Sequence, residues 1–277
     1  MPPYTPSELF ASTAPYYARF RPGYHPALYE LLAERFGLDG TQRILDLGTG
    51  TGTLALPLAA HAAEVIAVDP EPGMLDEGRK LTAERGITNV DWRMGDSTAL
   101  PALHIGPVLL TVMGASFHWM NRHQVLRDLD QIIQPTGAVV LASGGAPGDL
   151  KPAPWLDVVA EVRTRYLGPE RRAGSSTYTH PSERHQDVLA NSPFPHIETT
   201  HWDRTLTRDV DQVVGYVFSL SYSSPAQLGD AKDAFERDLR TALLDFNPEG
   251  RFEETIRTEA IIATREDESQ TGDAASS

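Results

Sequence analysis

The sequence predicts an α/β fold in which a mostly parallel β-sheet carries helices on both faces. Three observations predict it. Short apolar runs, such as EVIAVD at residues 64–69 and the run from Val108 to Met113, are typical of strands buried on both faces. Amphipathic helical segments alternate with these runs. A glycine-rich turn follows the first strand, and together with the next helix and strand it forms a unit typical of parallel sheets.

Each element of the first half has its own sequence signal. An amphipathic helix is expected at residues 26–37, because Pro26 suits a first helical position and Gly37 stops the helix. A later helix with apolar residues from Val125 to Ile133 on one face is expected to end at Pro135 and Gly137. The other elements are a strand and turn at RILDLGTGTG, a helix around Gly73 to Arg85, a strand near Val90 to Arg93 and the strand AVVLAS.

The second half has a different composition. Residues 144–196 are rich in Gly, Pro, Arg and polar residues and contain one expected helix near Trp155 to Tyr166, which indicates an inserted cap. A strand at IETTHWDRTLT, a helix capped by Asp209, a helix from Pro225 to Phe246 and a closing strand follow. The expected division is a helical lead-in that contributes to the pocket (1–40), a ligand-binding core (41–145), an inserted cap or acceptor region (146–196), C-terminal helices and closing strands (197–265) and a disordered tail (266–277).

Composition excludes several classes of protein. The 277 residues suffice for one large domain or a core with a cap, and 40% hydrophobic with 22% charged residues is ordinary for a globular protein. No apolar run approaches the roughly 18 residues of a membrane-spanning helix, and the N-terminus lacks signal-peptide character, so we expect a cytoplasmic protein. The absence of cysteine excludes disulfides, thiolate zinc sites and cysteine nucleophiles.

The charge balance restricts the partners. With 38 acidic and 24 basic residues, the net charge of −14 disfavours nucleic acids and anionic membranes, and a small cationic or amine-bearing partner is more compatible with it. Neither the histidines nor the acids have metal-ligand spacing, so we expect no metal. The sequence leaves the oligomeric state open, including a homo-oligomer.

The most informative stretch is the turn from Asp46 to Gly52, DLGTGTG. Glycines between a strand and a helix allow the backbone to approach a ligand closely. Asp69 ends the next strand 21 residues after Gly48, which is the spacing of a carboxylate that accepts the hydroxyls of a ribose. The sequence therefore predicts a ribose-bearing ligand, and a nicotinamide cofactor and S-adenosylmethionine (SAM) both satisfy that description.

The details of the turn favour SAM. Dinucleotide sites use G-x-G-x-x-G to place a pyrophosphate at the helix N-terminus, whereas Gly48, Gly50 and Gly52 have the spacing G-x-G-x-G. SAM lacks phosphate but carries an ammonium and a sulfonium group. The carboxylate of Asp46 can hold such positive charge directly, through water or through the turn backbone.

Several motifs together resemble the class I SAM-dependent methyltransferases, in particular the branch of ubiquinone/menaquinone and trans-aconitate methyltransferases. The similarity covers roughly residues 10–145 and is weaker in the final strands. The motifs that carry it are YARFRPGY at residues 17–24, ILDLGTGTG, VDPEPGML, GDSTALP, SFHW and QPTGAVVL. The resemblance implies a Rossmann-like sheet of seven strands, the last antiparallel, with SAM across the carboxyl ends of the first strands.

The resemblance also implies roles for particular residues. Gly48 and Gly50 would pack under the methionine part of SAM, Asp69 would bind the ribose, and Met74 would pack on the adenine. Asp96 and Ser97 would meet the adenine edge, although Asp96 has the alternative of capping a turn and Met74 that of a core residue. The expected cofactor-binding residues are Asp46, Gly48, Thr49, Gly50, Asp69, Pro70, Met74, Asp96, Ser97 and Arg21, the last for the SAM carboxylate or an acidic substrate.

The acceptor side is less defined by the sequence. Methyl transfer from a sulfonium chiefly needs a positioned nucleophile and the exclusion of water. His118 is the expected acid/base or orienting residue, with packing beside Phe117 and Trp119 as its alternative, and Tyr17 is the second expected catalytic residue. Tyr216, Ser219 and Tyr222 are expected on one face of a helix. Further pocket candidates are Tyr16, Tyr24, Trp119, Tyr178, His180 and His185.

The expected function is therefore methyl transfer from SAM to a nitrogen or oxygen of a small molecule, a specialised metabolite. An amine-bearing acceptor is favoured over an anionic one such as trans-aconitate, because the body of the protein is acidic and the few basic residues of the insertion form no recognisable clamp. The cap of about fifty residues favours a mid-sized enclosed acceptor. A C-methyltransferase and a SAM-binding protein that does not methylate, such as a regulator or a cyclisation catalyst, remain open at this point.

Overall fold

The computed structural model describes residues 12–145, 149, 151–170, 172–173, 176–177 and 183–266. Its helices in chain order are α1 (Ala14–Phe20), α2 (Pro26–Phe36), α3 (Ala55–Leu58), α4 (Pro72–Arg85), α5 (Arg122–Asp130), α6 (Trp155–Leu167), α7 (His185–Ala190), α8 (Val210–Phe218), α9 (Pro225–Leu228) and α10 (Lys232–Phe246). Its strands are β1 (Arg43–Leu47), β2 (Glu64–Asp69), β3 (Val90–Met94), β4 (Val108–Gly114), β5 (Ile133–Gly145), β6 (Arg172–Ala173), β7 (Ser176–Thr177), β8 (His196–Arg208) and β9 (Phe252–Thr264).

Seven of these strands form one sheet in the order β3-β2-β1-β4-β5-β9-β8. The first five pair in parallel, β9 pairs antiparallel with both β5 and β8, and β8 therefore runs in the same direction as β5. This topology confirms the α/β fold, the seven-stranded mostly parallel sheet and the antiparallel strand. It also brings the carboxyl ends of β1, β2, β4, β5 and β8 to one edge, where ligands bind in sheets of this kind.

Helices cover both faces of the sheet, as the apolar strands require. One face packs against α2 through Leu28 and Leu32. The opposite face packs against α5 and against the segment after α7 through residues that include Leu126, Leu129 and Phe194. Burial on both faces explains why the inner strands are almost continuously apolar.

The helix predicted to run to Ile133 ends earlier than expected. Helix α5 stops at Asp130, and Ile133 already pairs with Val108 as the first residue of β5. The carbonyl groups freed at this junction accept hydrogen bonds from Arg265, whose Nη2 donates to Asp130 O and Ile133 O. Ile132 and Ile133 continue the apolar spacing of the helix, although Ile133 already belongs to the strand. Periodicity alone therefore placed the end of the helix too late.

The helix predicted from Pro225 to Phe246 is interrupted. Helix α9 ends at Leu228 because Gly229 adopts a positive φ of 51°, and after a 3-10 turn α10 begins at Lys232. A glycine in this region of the Ramachandran map redirects the chain at low cost.

The two described ends of residues 146–196 pack against different parts of the protein. Helix α6 joins α8 and α10 in a third apolar cluster that includes Trp155, Val217 and Phe235. Helix α7 instead packs on the α5 face of the sheet through Val188 and Leu189. The division of the chain into a core and an inserted cap stays a prediction, as does the disordered tail, which lies outside the described residues from 267 onward.

Candidate functional site

The glycine turn follows β1 at the carboxyl edge of the sheet. The backbone N–H groups of Gly48 and Thr49 both donate to Val68 O, at 2.8 and 3.0 Å, which fastens the turn to the end of β2. Gly48 and Gly50 have positive φ values of 74° and 56°. Side chains are disfavoured in this conformation by about 1–2 kcal/mol, so the turn needs glycine at these positions.

The surroundings of the two glycines differ. A Cβ atom at Gly48 would lie 2.5 Å from the Cβ of Ser116, so packing alone excludes a side chain there. A Cβ atom at Gly50 would meet only Cε1 of Tyr17, at 3.9 Å. Gly50 therefore leaves open the space in which a ligand could contact the turn backbone, as expected for a cofactor cradle.

Asp46 is buried beneath the turn and organises it. Its Oδ2 accepts hydrogen bonds from Thr49 Oγ1 at 2.7 Å and from Ala55 N at 3.0 Å. Its Oδ1 is buried without a partner. Burial raises the pKa of Asp46 to about 7, against the lowering effect of its two hydrogen bonds. One oxygen thus remains able to accept from a cationic or hydrogen-bonding ligand.

Asp69 ends β2 and faces the same turn. Its Oδ2 accepts from Gly50 N at 2.8 Å, and its Oδ1 accepts from Glu71 N at 2.9 Å. Burial raises the pKa of Asp69 to about 6. Glu71 caps α4 through Gly73 N, and its Oε2 is a second buried acceptor without a partner. The site therefore presents several carboxylate oxygens to a ligand with hydroxyl or ammonium donors.

The other expected cofactor residues surround this turn or follow β3. Pro70 connects β2 to α4, and Met74 is buried in the first turn of α4. Asp96 lies just beyond β3, and its Oδ1 accepts from Thr98 N and Thr98 Oγ1 at 2.8 and 2.5 Å, which is the turn-capping arrangement. Ser97 is partly exposed beside it. The structure places these residues along β1 to β3, and their contacts with a cofactor stay predictions.

Helix α1 crosses the open side of the turn. Its first residue, Ala14, lies near Gly73, and its last residue, Phe20, fills the space above Gly215 of α8. Tyr17, between them, faces Gly50. The helix thus links α4 of the core to the C-terminal helices and holds Tyr17 next to the expected donor site.

His118 follows β4 in a 3-10 helix that spans Phe117–Trp119. Its ring lies against Trp119, with centroids 4.7 Å apart, and it makes a further interaction in the protein. Its neighbour Phe117 is buried and contacts the ring of His185 edge-on at 5.2 Å. His118 is partly exposed at the carboxyl edge of the sheet, where an acceptor could reach it, and its catalytic role stays a prediction.

The three hydroxyl residues predicted on one helix face do not share a helix. Helix α8 ends at Phe218, Ser219 is its C-cap, and Tyr222 lies in a separate 3-10 turn. Ser219 Oγ donates to Tyr216 O, as expected where a helix ends. Tyr216 is partly buried beside two arginine side chains, while Tyr178 and His180 lie outside the described residues.

Sequence reasoning missed two arginines of the outer strand. Arg204 and Arg208 lie four residues apart in the alternating pattern of β8 and point to the same side as Trp202, which packs against the apolar cluster that includes Leu28 of α2. The sequence did contain a signal for this placement, because both arginines are an even number of residues from Trp202 and therefore share its face of the strand. With Arg21, which α1 delivers, they form a group that we call the arginine cluster (Arg21, Arg204 and Arg208).

Two features are absent from the described part of the chain. No group of three or more His, Asp or Glu side chains there is arranged to hold a metal ion. None of its helices has the length and apolar character needed to span a membrane.

Comparison with known proteins identifies the core. Residues 44–137 match the family described as "Methyltransferase domain". This stretch contains β1 to β4 and therefore the glycine turn, Asp46, Asp69 and the residues after β3 and β4.

Similar proteins agree with this match. An uncharacterized methyltransferase-like protein of Schizosaccharomyces pombe is 32% identical over 151 residues, covering 54% of this chain and 56% of its own length. A second S. pombe methyltransferase is matched over 57% of its length, so the chain spans little more than half of these relatives. An uncharacterized methyltransferase of Mycobacterium tuberculosis is 26% identical over 223 residues, 79% of this chain and 80% of that protein.

Among solved structures, the YcgJ protein of Bacillus subtilis shares the fold. It has a TM-score of 0.53 and 17% identity, with 88% of this chain and all of that chain covered. The strand order, the turn geometry, the family match and these relatives agree with one another. Residues 44–137 therefore carry a methyltransferase domain, in agreement with the resemblance to the class I SAM-dependent methyltransferases.

Proposed function

We propose that this protein transfers a methyl group from SAM to a nitrogen or oxygen of a small-molecule acceptor, a specialised metabolite. The observation that carries the proposal is the turn at Gly50, which is open to a ligand and lies between two buried carboxylates. Bound SAM would supply an electrophilic methyl group on a sulfonium. Everything else in the reaction is a task of the protein's own residues.

Binding of the donor falls to the turn and the ends of β2 and β3. Asp46 offers Oδ1 to the positively charged part of SAM, while Gly48, Thr49 and Gly50 let the ligand approach the backbone. Asp69 accepts the ribose hydroxyls, and charge-assisted hydrogen bonds of this kind contribute about 1.5–3 kcal/mol each. Pro70 and Met74 line the adenine side, with Asp96 and Ser97 at its edge.

Orientation of the acceptor falls to residues on the other side of the turn. Tyr17 covers Gly50 and would exclude water from the donor side, and its hydroxyl can hydrogen-bond an acceptor. His118, at the end of β4, would orient the acceptor or take its proton where the attacking atom is protonated. Arg21 stacks on Tyr17 with its guanidinium 4.9 Å from the ring centre and carries positive charge to the same place.

The direct test has two steps. Titration of S-adenosylhomocysteine (SAH), followed by calorimetry, measures donor-site binding without any acceptor. Incubation with methyl-labelled SAM and a panel of small amines, phenols, acids and carbon acids then reports transfer by mass spectrometry. We expect SAH binding and label in an N- or O-methyl product. Binding without any transfer would assign the fold to a non-methylating SAM protein, and label on carbon would make it a C-methyltransferase.

A further inference from the structure

The arginine cluster contains a column of alternating rings and cations. The guanidinium of Arg21 lies over Tyr17 at 4.9 Å and over Tyr216 at 5.5 Å, and that of Arg208 lies over Tyr216 at 4.6 Å. Since Tyr17 faces Gly50, the column runs from the donor turn to the carboxyl end of β8. Cation–π contacts orient guanidinium groups but do not neutralise their charge.

The charge of the cluster is not balanced. Glu254 pairs with Arg208 at 2.6 Å, and both side chains are buried. No carboxylate within the described part of the chain pairs with Arg21 or Arg204, which instead donate to the carbonyl groups of Ser219 and Gly23. Three cations thus share one anion, in a protein whose net charge is −14.

Three other partly buried arginines of the described chain are paired with acids, whereas the buried Arg163 donates to the carbonyl groups of Pro169 and Glu170. Arg43 pairs with Glu64 at 2.7 Å. Arg265 pairs with Asp130 at 2.7 Å, and Arg257 pairs with Asp203 at 2.7 Å. The protein has enough carboxylates to neutralise its arginines, so their shortage in the cluster is a local feature of this site.

Each arginine of the cluster also has a buried N–H group without a partner. These are Nε of Arg21, Nε of Arg204 and Nη2 of Arg208. Arg208 itself is only 6% exposed. A buried donor on a charged group is unfavourable when it finds no acceptor, so these three N–H groups favour an acceptor from outside the chain.

The position of the cluster suits a substrate. Arg208 lies at the end of β8, on the sheet edge that also carries the glycine turn and His118. Tyr24, near Gly23, reaches the end of β4, where a Cβ at Gly114 would lie 2.8 Å from its hydroxyl. The cluster therefore borders the expected acceptor side, while the carboxylates of Asp46 and Asp69 border the donor side.

We propose that the arginine cluster binds a carboxylate group of the methyl acceptor and so selects acidic small molecules. The proposal rests on the proposed methyl transfer and names the acceptor's class. Planar guanidinium groups match a carboxylate in shape and charge, and they stay charged at every accessible pH. The amine expectation came from the net charge of the whole chain, whereas the local charge next to the donor turn is positive.

One other source of the same chemistry is the carboxylate of the SAM methionine. Arg21 lies close enough to Tyr17 and the turn for either role. Arg204 is not part of the column of rings and cations, so its substitution distinguishes a carboxylate of the acceptor from the carboxylate of SAM. Substitution of Arg204 should change acceptor binding and leave donor binding intact.

The test uses Arg204→Gln, with Arg257→Gln as a matched control that removes the same charge from the same outer strands but from a carboxylate-paired arginine. Thermal shift and calorimetry measure binding of succinate and benzoate, and of succinamide and benzamide as uncharged probes, to protein with and without saturating SAH. A double variant, Arg208→Gln with Glu254→Gln, removes a buried pair together and so leaves no lone buried charge.

We expect the acids, and not the amides, to bind the wild-type protein and Arg257→Gln, with at least about tenfold weaker binding to Arg204→Gln and to the double variant. SAH affinity should change less than twofold in Arg204→Gln. Equal binding of acids and amides, or of acids to wild type and Arg204→Gln, would overturn the proposal. A large loss of SAH affinity in Arg204→Gln would assign the cluster to the donor and overturn it too.

These outcomes separate the two proposals. If the wild-type protein fails to bind SAH, the proposed methyl transfer fails, whatever the acids do. If SAH binds and the acids do not, the carboxylate subsite fails and methyl transfer stands.

Discussion

The donor turn and the arginine cluster lie at the same edge of the sheet and handle buried charge in opposite ways. Beneath the turn, Asp46 and Glu71 each leave one buried carboxylate oxygen without a donor. In the cluster, three arginines each leave one buried N–H without an acceptor. The first region is built for a cation or hydroxyl donors, the second for an anion.

The two regions also differ in how they can relieve that charge. Burial raises the pKa values of Asp46 and Asp69 to about 7 and 6, so the carboxyl groups can take up protons until a ligand arrives. Arginine cannot lose its proton under physiological conditions. We therefore expect ligand binding on the donor side to depend on pH, and binding on the acceptor side to depend on the charge of the ligand.

The largest effect is expected from the glycines of the turn. Gly48→Ala should lower the free energy of unfolding by about 2–4 kcal/mol, because the new Cβ combines positive-φ strain with a collision with Ser116. Gly50→Ala should cost only about 1–2 kcal/mol, because its Cβ meets nothing closer than 3.9 Å, yet it should abolish SAH binding. Denaturant unfolding and calorimetry measure both. Equal losses of stability in the two variants would contradict the claim that Gly48 is required for packing and Gly50 for ligand binding.

His118→Ala tests the chemistry at the edge between the two regions. If His118 acts as a general base, its removal should lower turnover about 10²-fold or more and leave SAH affinity nearly unchanged. Single-turnover rates with labelled SAM measure the first quantity and calorimetry the second. His123→Ala, in the exposed start of α5, serves as the control. Full activity of His118→Ala would leave this residue a packing role beside Trp119.

The pH dependence should differ between donor-site ligands. A raised folded pKa means that ionisation of Asp46 and Asp69 destabilises the ligand-free fold, so its stability should fall as pH rises from about 4 through 6 and 7. Binding of the SAM cation favours the ionised carboxylates, so it should release protons near pH 6, and its affinity should rise about tenfold between pH 5 and 8. SAH, which lacks the sulfonium charge, should show a smaller rise.

Calorimetry in two buffers with different ionisation enthalpies counts those protons. Asp46→Asn should make the rise of SAM affinity with pH smaller, because the amide does not titrate and only Asp69 still does. An unchanged pH profile of SAM affinity in that variant, or proton uptake on SAM binding, would contradict the assignment of Asp46 to the positively charged part of SAM.

Much of the fold could be predicted from the sequence because its signals are local. The positive-φ glycines, the Pro26 start and Gly37 stop of α2 and the capping box at Asp209 fix elements without tertiary information. The two misplaced helices show the limit of such signals. The end of α5 depends on Arg265, which lies 135 residues away, and no periodicity in the segment itself reports that contact.

The site divides in the same way. The donor residues follow one another along β1, β2 and β3, so their spacing predicted a common location at the carboxyl edge. The arginine cluster combines residue 21 with residues 204 and 208, which are far apart in the sequence. The pairing of β8 with β9 and the packing of α1 on α8 bring them together. The net charge could not predict the cluster, because a sum over 277 residues does not show where the charges lie.

The central claim is that the turn and the end of β2 hold SAM, and the most direct measurement is calorimetric titration of SAH into the wild-type protein and Asp69→Ala. Asp76→Ala is the control, an exposed aspartate of the neighbouring α4. We predict about 10-fold to 100-fold weaker SAH binding for each ribose hydrogen bond lost in Asp69→Ala, with a preserved fold by circular dichroism and no change for Asp76→Ala. SAH affinity that is equal in wild type and Asp69→Ala, or absent from both, would contradict the account.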